Sequence, residues 1–212
     1  MTAQPIGSIT SQTASLTVVV FDAASAADWI PTKPAATKAQ FTGHPAEVMR
    51  GLAKGEDAAP VDVGASGGLA FELEGKSGRI DAYRTPAALV FVAPPRAHWI
   101  EHHADRAEAI DALIAAAIAS DDDDDASELG EIELTSGKLA AVYLWLKKVG
   151  AARELSATVP SGGARGFGDG YGEGDGGLIV DLGPGSYRVA RREHAAPWDD
   201  AARLVAVSFT RV

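Results

Sequence analysis

Short apolar runs punctuated by glycine and proline dominate the chain, and one long run carries helical spacing. Leu16–Phe21 is β-branched and apolar and reads as a buried strand. Pro45–Lys54 predicts a short helix: Pro45 suits its first turn, Val48, Met49 and Leu52 share a face, and Gly55 ends it. Three strand-like runs follow at Leu69–Leu73, Arg79–Arg84 and Ala88–Ala93, with turns at Gly75 to Gly78 and at Thr85-Pro86. Ala104–Ser120 is the clearest helix, because Ile110, Leu113, Ile114, Ala117 and Ile118 recur on one face. Asp105 and Glu108 lie in its first turn, where the helix dipole favours acids.

Beyond that helix the strand pattern returns. Glu131–Leu134 alternates, Thr135-Ser136-Gly137 forms a turn, and Leu139–Leu146 is a long apolar strand. Residues 161–177 hold nine glycines and read as a mobile surface loop tipped by Phe167 and Tyr171. Leu178–Leu182 and Tyr187–Arg191 read as a hairpin around Gly183-Pro184-Gly185, and Leu204–Val212 as a closing strand. The first half is echoed in the second. Gly67-Gly68-Leu69-Ala70-Phe71-Glu72-Leu73 returns as Gly176-Gly177-Leu178-Ile179-Val180-Asp181-Leu182, and Arg79-Ile80 returns as Arg188-Val189. The expected fold is therefore a β-rich α+β protein. Two similar antiparallel, sandwich-like units flank one prominent helix. The first occupies residues 1–120 and the second 131–212, with an acidic linker over 121–130.

Composition narrows the function. The 212 residues are 46% hydrophobic and 23% charged, enough for a sizeable core. The absence of cysteine excludes disulfides, thiol catalysis and cysteine-ligated metals. The start of the chain lacks the basic and apolar regions of a signal peptide, and no apolar run is long enough to cross a bilayer. A cytoplasmic protein with no membrane partner is expected. The net charge of −10 disfavours nucleic acid and suits a basic protein partner. The charge is concentrated: Asp121, Asp122, Asp123, Asp124 and Asp125 are consecutive, and acids continue to Glu133 with no intervening cation. Such a run serves either as a solvated linker or as an electrostatic lure for a basic partner.

Two other motifs admit chemistry. His98-Trp99-Ile100-Glu101-His102 fits the H-x-x-E-H spacing, which on a helix sets two imidazoles one turn apart for zinc and leaves Glu101 to activate water. The same residues also read as a strand end followed by a stapled helix start. The glycine-rich segment has acids at Asp169, Glu173 and Asp175 but no lysine, so it suits calcium better than phosphate. Trp198, in the polar turn Pro197–Asp200, is the tryptophan most exposed by expectation and joins Phe167 and Tyr171 as a contact candidate. No Ser-His-Asp constellation emerges, and Ser66 misses the Gly-x-Ser-x-Gly frame by one residue.

Thr135–Val142, Leu182–Val189 and Arg203–Phe209 resemble a group of uncharacterised bacterial β-sandwich proteins found beside polymorphic toxins. That resemblance implies an antiparallel sandwich and toxin neutralisation, and it carries over no functional residues. The first expectation is thus a non-enzymatic, immunity-type inhibitor of a basic protein. A zinc hydrolase using His98, Glu101 and His102 is the second, and a structural subunit of an assembly the third.

Overall fold

The computed structural model describes residues 4–11, 16–31, 43–53, 55–73, 78–93, 107–119, 126–146, 148–169, 175–196 and 199–212. The first half supplies β1 (Gly7–Thr10), β2 (Leu16–Asp22), β3 (Ala58–Val61), β4 (Gly68–Leu73), β5 (Arg79–Arg84) and β6 (Ala88–Val92). The second supplies β7 (Ser127–Leu134), β8 (Lys138–Tyr143), β9 (Ala164–Asp169), β10 (Asp175–Asp181), β11 (Gly185–Ala196) and β12 (Asp199–Arg211). A 3-10 turn, Ala23–Asp28, and three helices complete the inventory of described elements: α1 (His44–Leu52), α2 (Ala107–Ala119) and α3 (Ala151–Ser156). β7 begins at Ser127, inside the stretch expected to be linker.

These strands form two antiparallel six-stranded sheets. One runs β1-β5-β6-β12-β11-β7 and the other β3-β4-β2-β8-β10-β9. Each takes three strands from either half, and each order mirrors about its centre. The register keeps the mirror. Leu69 pairs with Val20, Val20 with Ala141 across the midline, and Ala141 with Leu178. Leu69 and Leu178 are the residues matched by the sequence echo. In the other sheet the central pair is Phe91 with Val207, flanked by Ala82 and Arg191.

The sheets face each other across the main core. Val18, Val20, Phe71, Leu139, Leu178 and Val180 from one meet Ile80, Phe91, Val189, Val207 and Phe209 from the other, all buried. Phe91 and Phe209 meet edge to face at 5.2 Å. Alternate residues of the second sheet point outward, yet they too are apolar: Val19, Phe21, Ala140, Val142 and Ile179. The 3-10 turn, α1 and α3 cover them, with Trp29, Val48 and Ala152 in the contact. That second covering explains why β2, β8 and β10 read as continuous apolar runs rather than alternating ones. A third, smaller cluster lies outside the first sheet, where α2 sets Ala117 against Tyr83, Val90, Val92, Leu204 and Ala206.

Two expectations are corrected. Leu178–Leu182 and Tyr187–Arg191 do not form a hairpin, because β10 and β11 belong to different sheets. The Gly183–Gly185 turn instead carries the chain from one sheet to the other. It is held from both sides: Leu182 N and Gly183 N donate to Gly137 O at 2.9 and 3.0 Å, and Tyr187 Oη lies 2.6 Å from Leu182 O. Gly137 must be glycine, since its φ is +73° and a Cβ would come within 2.7 Å of the Gly183 and Pro184 backbone.

Within the glycine-rich segment, Ala164–Asp169 is strand rather than loop, because it pairs with β10. Phe167 is 3% exposed and packs in the core beneath α3. Its glycines make that burial possible. Gly177 is its cross-strand partner, and a Cβ there would lie 2.6 Å from the Phe167 ring. Phe167 is therefore removed from the candidate contact residues.

Candidate interaction surface

The most buried charge among the described residues ties the two halves together. Asp22 ends β2 and is 0% exposed. Its carboxylate accepts from Ala24 N at 2.9 Å, which caps the 3-10 turn. It also accepts from Thr135 Oγ1 at 2.7 Å, from Ser136 N at 2.8 Å and from Ser136 Oγ, all in the β7–β8 turn. Burial works to raise its pKa. The hydrogen bonds from Ser136, Ala24 and Thr135 outweigh burial and hold it below the usual carboxylate value. The acceptor lone pairs are filled by protein donors, which makes this a structural latch.

A second carboxylate is likewise committed. Asp181 meets Lys138 Nζ at 2.8 Å and accepts from Gly162 N at 2.6 Å. Burial opposes ionisation there too, and the Lys138 and Gly162 hydrogen bonds overcome it, so its pKa is lowered. Thr17 and Glu72 hold the mirrored positions in the first half, joined by a longer hydrogen bond of 3.4 Å.

Several outward polar side chains lie together at one corner of the first sheet. β7 is its edge strand. Leu129, Ile132 and Leu134 face the core, while Glu128, Glu131 and Glu133 are exposed. Glu131 pairs across the ladder with Arg188, and Arg188 with Thr210. Glu128, Glu131, Arg188, Thr210, Arg211 and Val212 line a shallow, open cleft of about 330 Å³. Opposite charges in register stabilise the strand pair by ~0.2–1 kcal/mol, so part of this charge has a structural use. α2 covers the neighbouring area of the same face, where His194 pairs with Leu204. Desolvation and the nearby Arg192 push the His194 imidazole below its usual pKa.

The remaining sequence candidates fall outside this geometry. Asp121–Asp125, His98, Glu101, His102, Tyr171 and Trp198 lie outside the described residues. Among the described residues, no group of three or more His, Cys, Asp or Glu side chains is placed to hold a metal ion. No described helix is long and apolar enough to cross a membrane. Trp145 is 41% exposed, whereas Trp29 is buried against Phe21 and His44. The exposed glutamates of β7 were legible as part of an acidic run. What the run could not reveal is that they stand on a sheet edge.

Comparison with family models, with curated proteins and with solved structures returns no match.

Proposed function

We propose that the chain is a non-enzymatic protein-binding module, an immunity-type inhibitor that captures a basic partner in the cytoplasm. The observation that carries this reading is the sheet edge at β7. Its outer positions Glu128, Glu131 and Glu133 are exposed, and in sequence it follows directly from Asp121–Asp125. Charges of one sign placed side by side speed the approach of an oppositely charged protein and select against acidic ones. Supporting it further, Asp22 and Asp181, the carboxylates with lowered pKa, are spent on internal donors.

The same reading takes the two halves as copies of one unit. The mirrored strand orders and the shared row Leu69–Val20–Ala141–Leu178 support that view. After duplication one edge is free to acquire a new task while its twin keeps the fold.

The test is capture from native lysate on the immobilised chain, at low and high salt, beside a variant with Asp121–Asp125 replaced by serine. The expected result is one basic protein near one-to-one, released by salt and recovered less well by the variant. Equal recovery by both chains at both salts would overturn the electrostatic reading.

A further inference from the structure

We propose that the outer edge of β7, which no described strand pairs, is a strand-addition site whose occupant is an extended, basic segment of a protein partner. The inference rests on the protein-binding reading and specifies how the partner is held. An edge strand presents a row of N–H and C=O groups that an incoming strand can pair.

Among the described residues the two sheets end in four edge strands: β1, β7, β3 and β9. β1 and β3 are four residues long, and β3 carries Pro60, which has no N–H to offer. β9 has six residues and turns its aromatic residue, Phe167, into the core. β7 has eight residues, and over Glu131–Leu134 it alternates between exposed acidic and buried apolar positions. Its register breaks once, at the bulge facing Val189 and Ala190, so Glu131–Leu134 is its regular stretch.

The charges choose the occupant. A second copy adding to this edge through its own β7 would bring glutamate against glutamate, which is destabilising. A segment with Lys or Arg at alternate positions would set cations against Glu128, Glu131 and Glu133 while its backbone pairs the edge.

The probe is an octapeptide of alternating Lys and Thr, titrated into the isotope-labelled full chain at low salt and followed by amide NMR. The expected shifts concentrate at Ser127–Leu134. Affinity should fall more than tenfold for the Glu128→Ser, Glu131→Ser, Glu133→Ser variant. It should fall as steeply for a peptide of the same charge with two Thr replaced by Pro, since proline removes backbone donors. The variant changes only exposed side chains, and its own amide spectrum reports its fold. Equal binding of the proline peptide would show attraction by charge alone and overturn strand addition, as would shifts centred elsewhere. Loss of peptide binding beside intact lysate capture would sink this inference and leave the protein-binding reading standing.

Discussion

The two halves place their strands in mirrored positions, yet equivalent positions carry different chemistry. Thr17–Glu72 in the first half is a neutral–acid hydrogen bond, and Lys138–Asp181 in the second is an ion pair. Gly68 faces Val61 on β3, while Gly177 faces the much larger Phe167 on β9. Two residues beyond the central Val20–Ala141 pair stand Asp22 on β2 and Tyr143 on β8. At the two ends of the first sheet, β1 is short, with Ser8 tied to Asp81, while β7 is long and acidic. Backbone pairing constrains where strands lie and which side chains point inward. It leaves the outward chemistry of each edge free to change.

Substitutions can break or sharpen this comparison, and the largest effect is expected in the core. Phe167→Ala should cost about 3–4 kcal/mol in a denaturant melt. Phe167→Val, which imports the residue of the mirrored site, should cost less than Phe167→Ala. A loss under 1 kcal/mol for Phe167→Ala would contradict its burial. Asp22→Ala strands the donors of Ala24, Thr135 and Ser136 and should cost about 3 kcal/mol. Its pH dependence has a definite sign. A carboxylate held below its unfolded pKa contributes stability that is full above that value, near 3.8, and is lost as pH falls through the folded value. The acid limb of the stability profile should therefore be shallower in the Asp22 variant.

Smaller differences separate the paired polar sites. Lys138→Ala leaves Asp181 half-satisfied and should cost about 1–2 kcal/mol. Thr17→Ala, across the midline, should cost about 0.5 kcal/mol, because its hydrogen bond is long. Equal losses would mean that the halves do not differ energetically here. His194 supplies the smallest effect. Its depressed pKa means that the neutral ring stabilises the fold above about pH 6.5, and that this contribution fades as pH falls toward the folded value. His194→Gln should flatten the denaturation midpoint between pH 7 and 5, and an unchanged slope would remove the histidine from the account.

Much of the sheet architecture was legible in particular runs. Val18–Phe21 is wholly apolar because both faces of β2 are covered, and Glu131–Leu134 alternates because β7 has one face in water. The glycine echo aligned Leu69 with Leu178, and the register places them in one row. Sheet membership was not legible. A glycine turn reads alike whether the next strand pairs with the last or crosses to another sheet, as at Gly183–Gly185. β3 was hidden by Pro60, and β9 by the glycines that accommodate Phe167. Of the candidate surface, the acidity was plain in the sequence. Its position on a free edge depends on pairings between residues far apart in the chain.

The most direct test of the central claim, that the edge at β7 took on binding while the first half kept to structure, is a matched pair of charge variants in low-salt capture of a basic partner. One chain carries Glu128→Ser, Glu131→Ser and Glu133→Ser. The other carries Glu47→Ser, Glu56→Ser and Asp62→Ser, three exposed acids of the first half. Both lose the same charge. Capture should collapse for the first variant and persist for the second. Equal loss in both would mean that overall charge, and not the β7 edge, holds the partner.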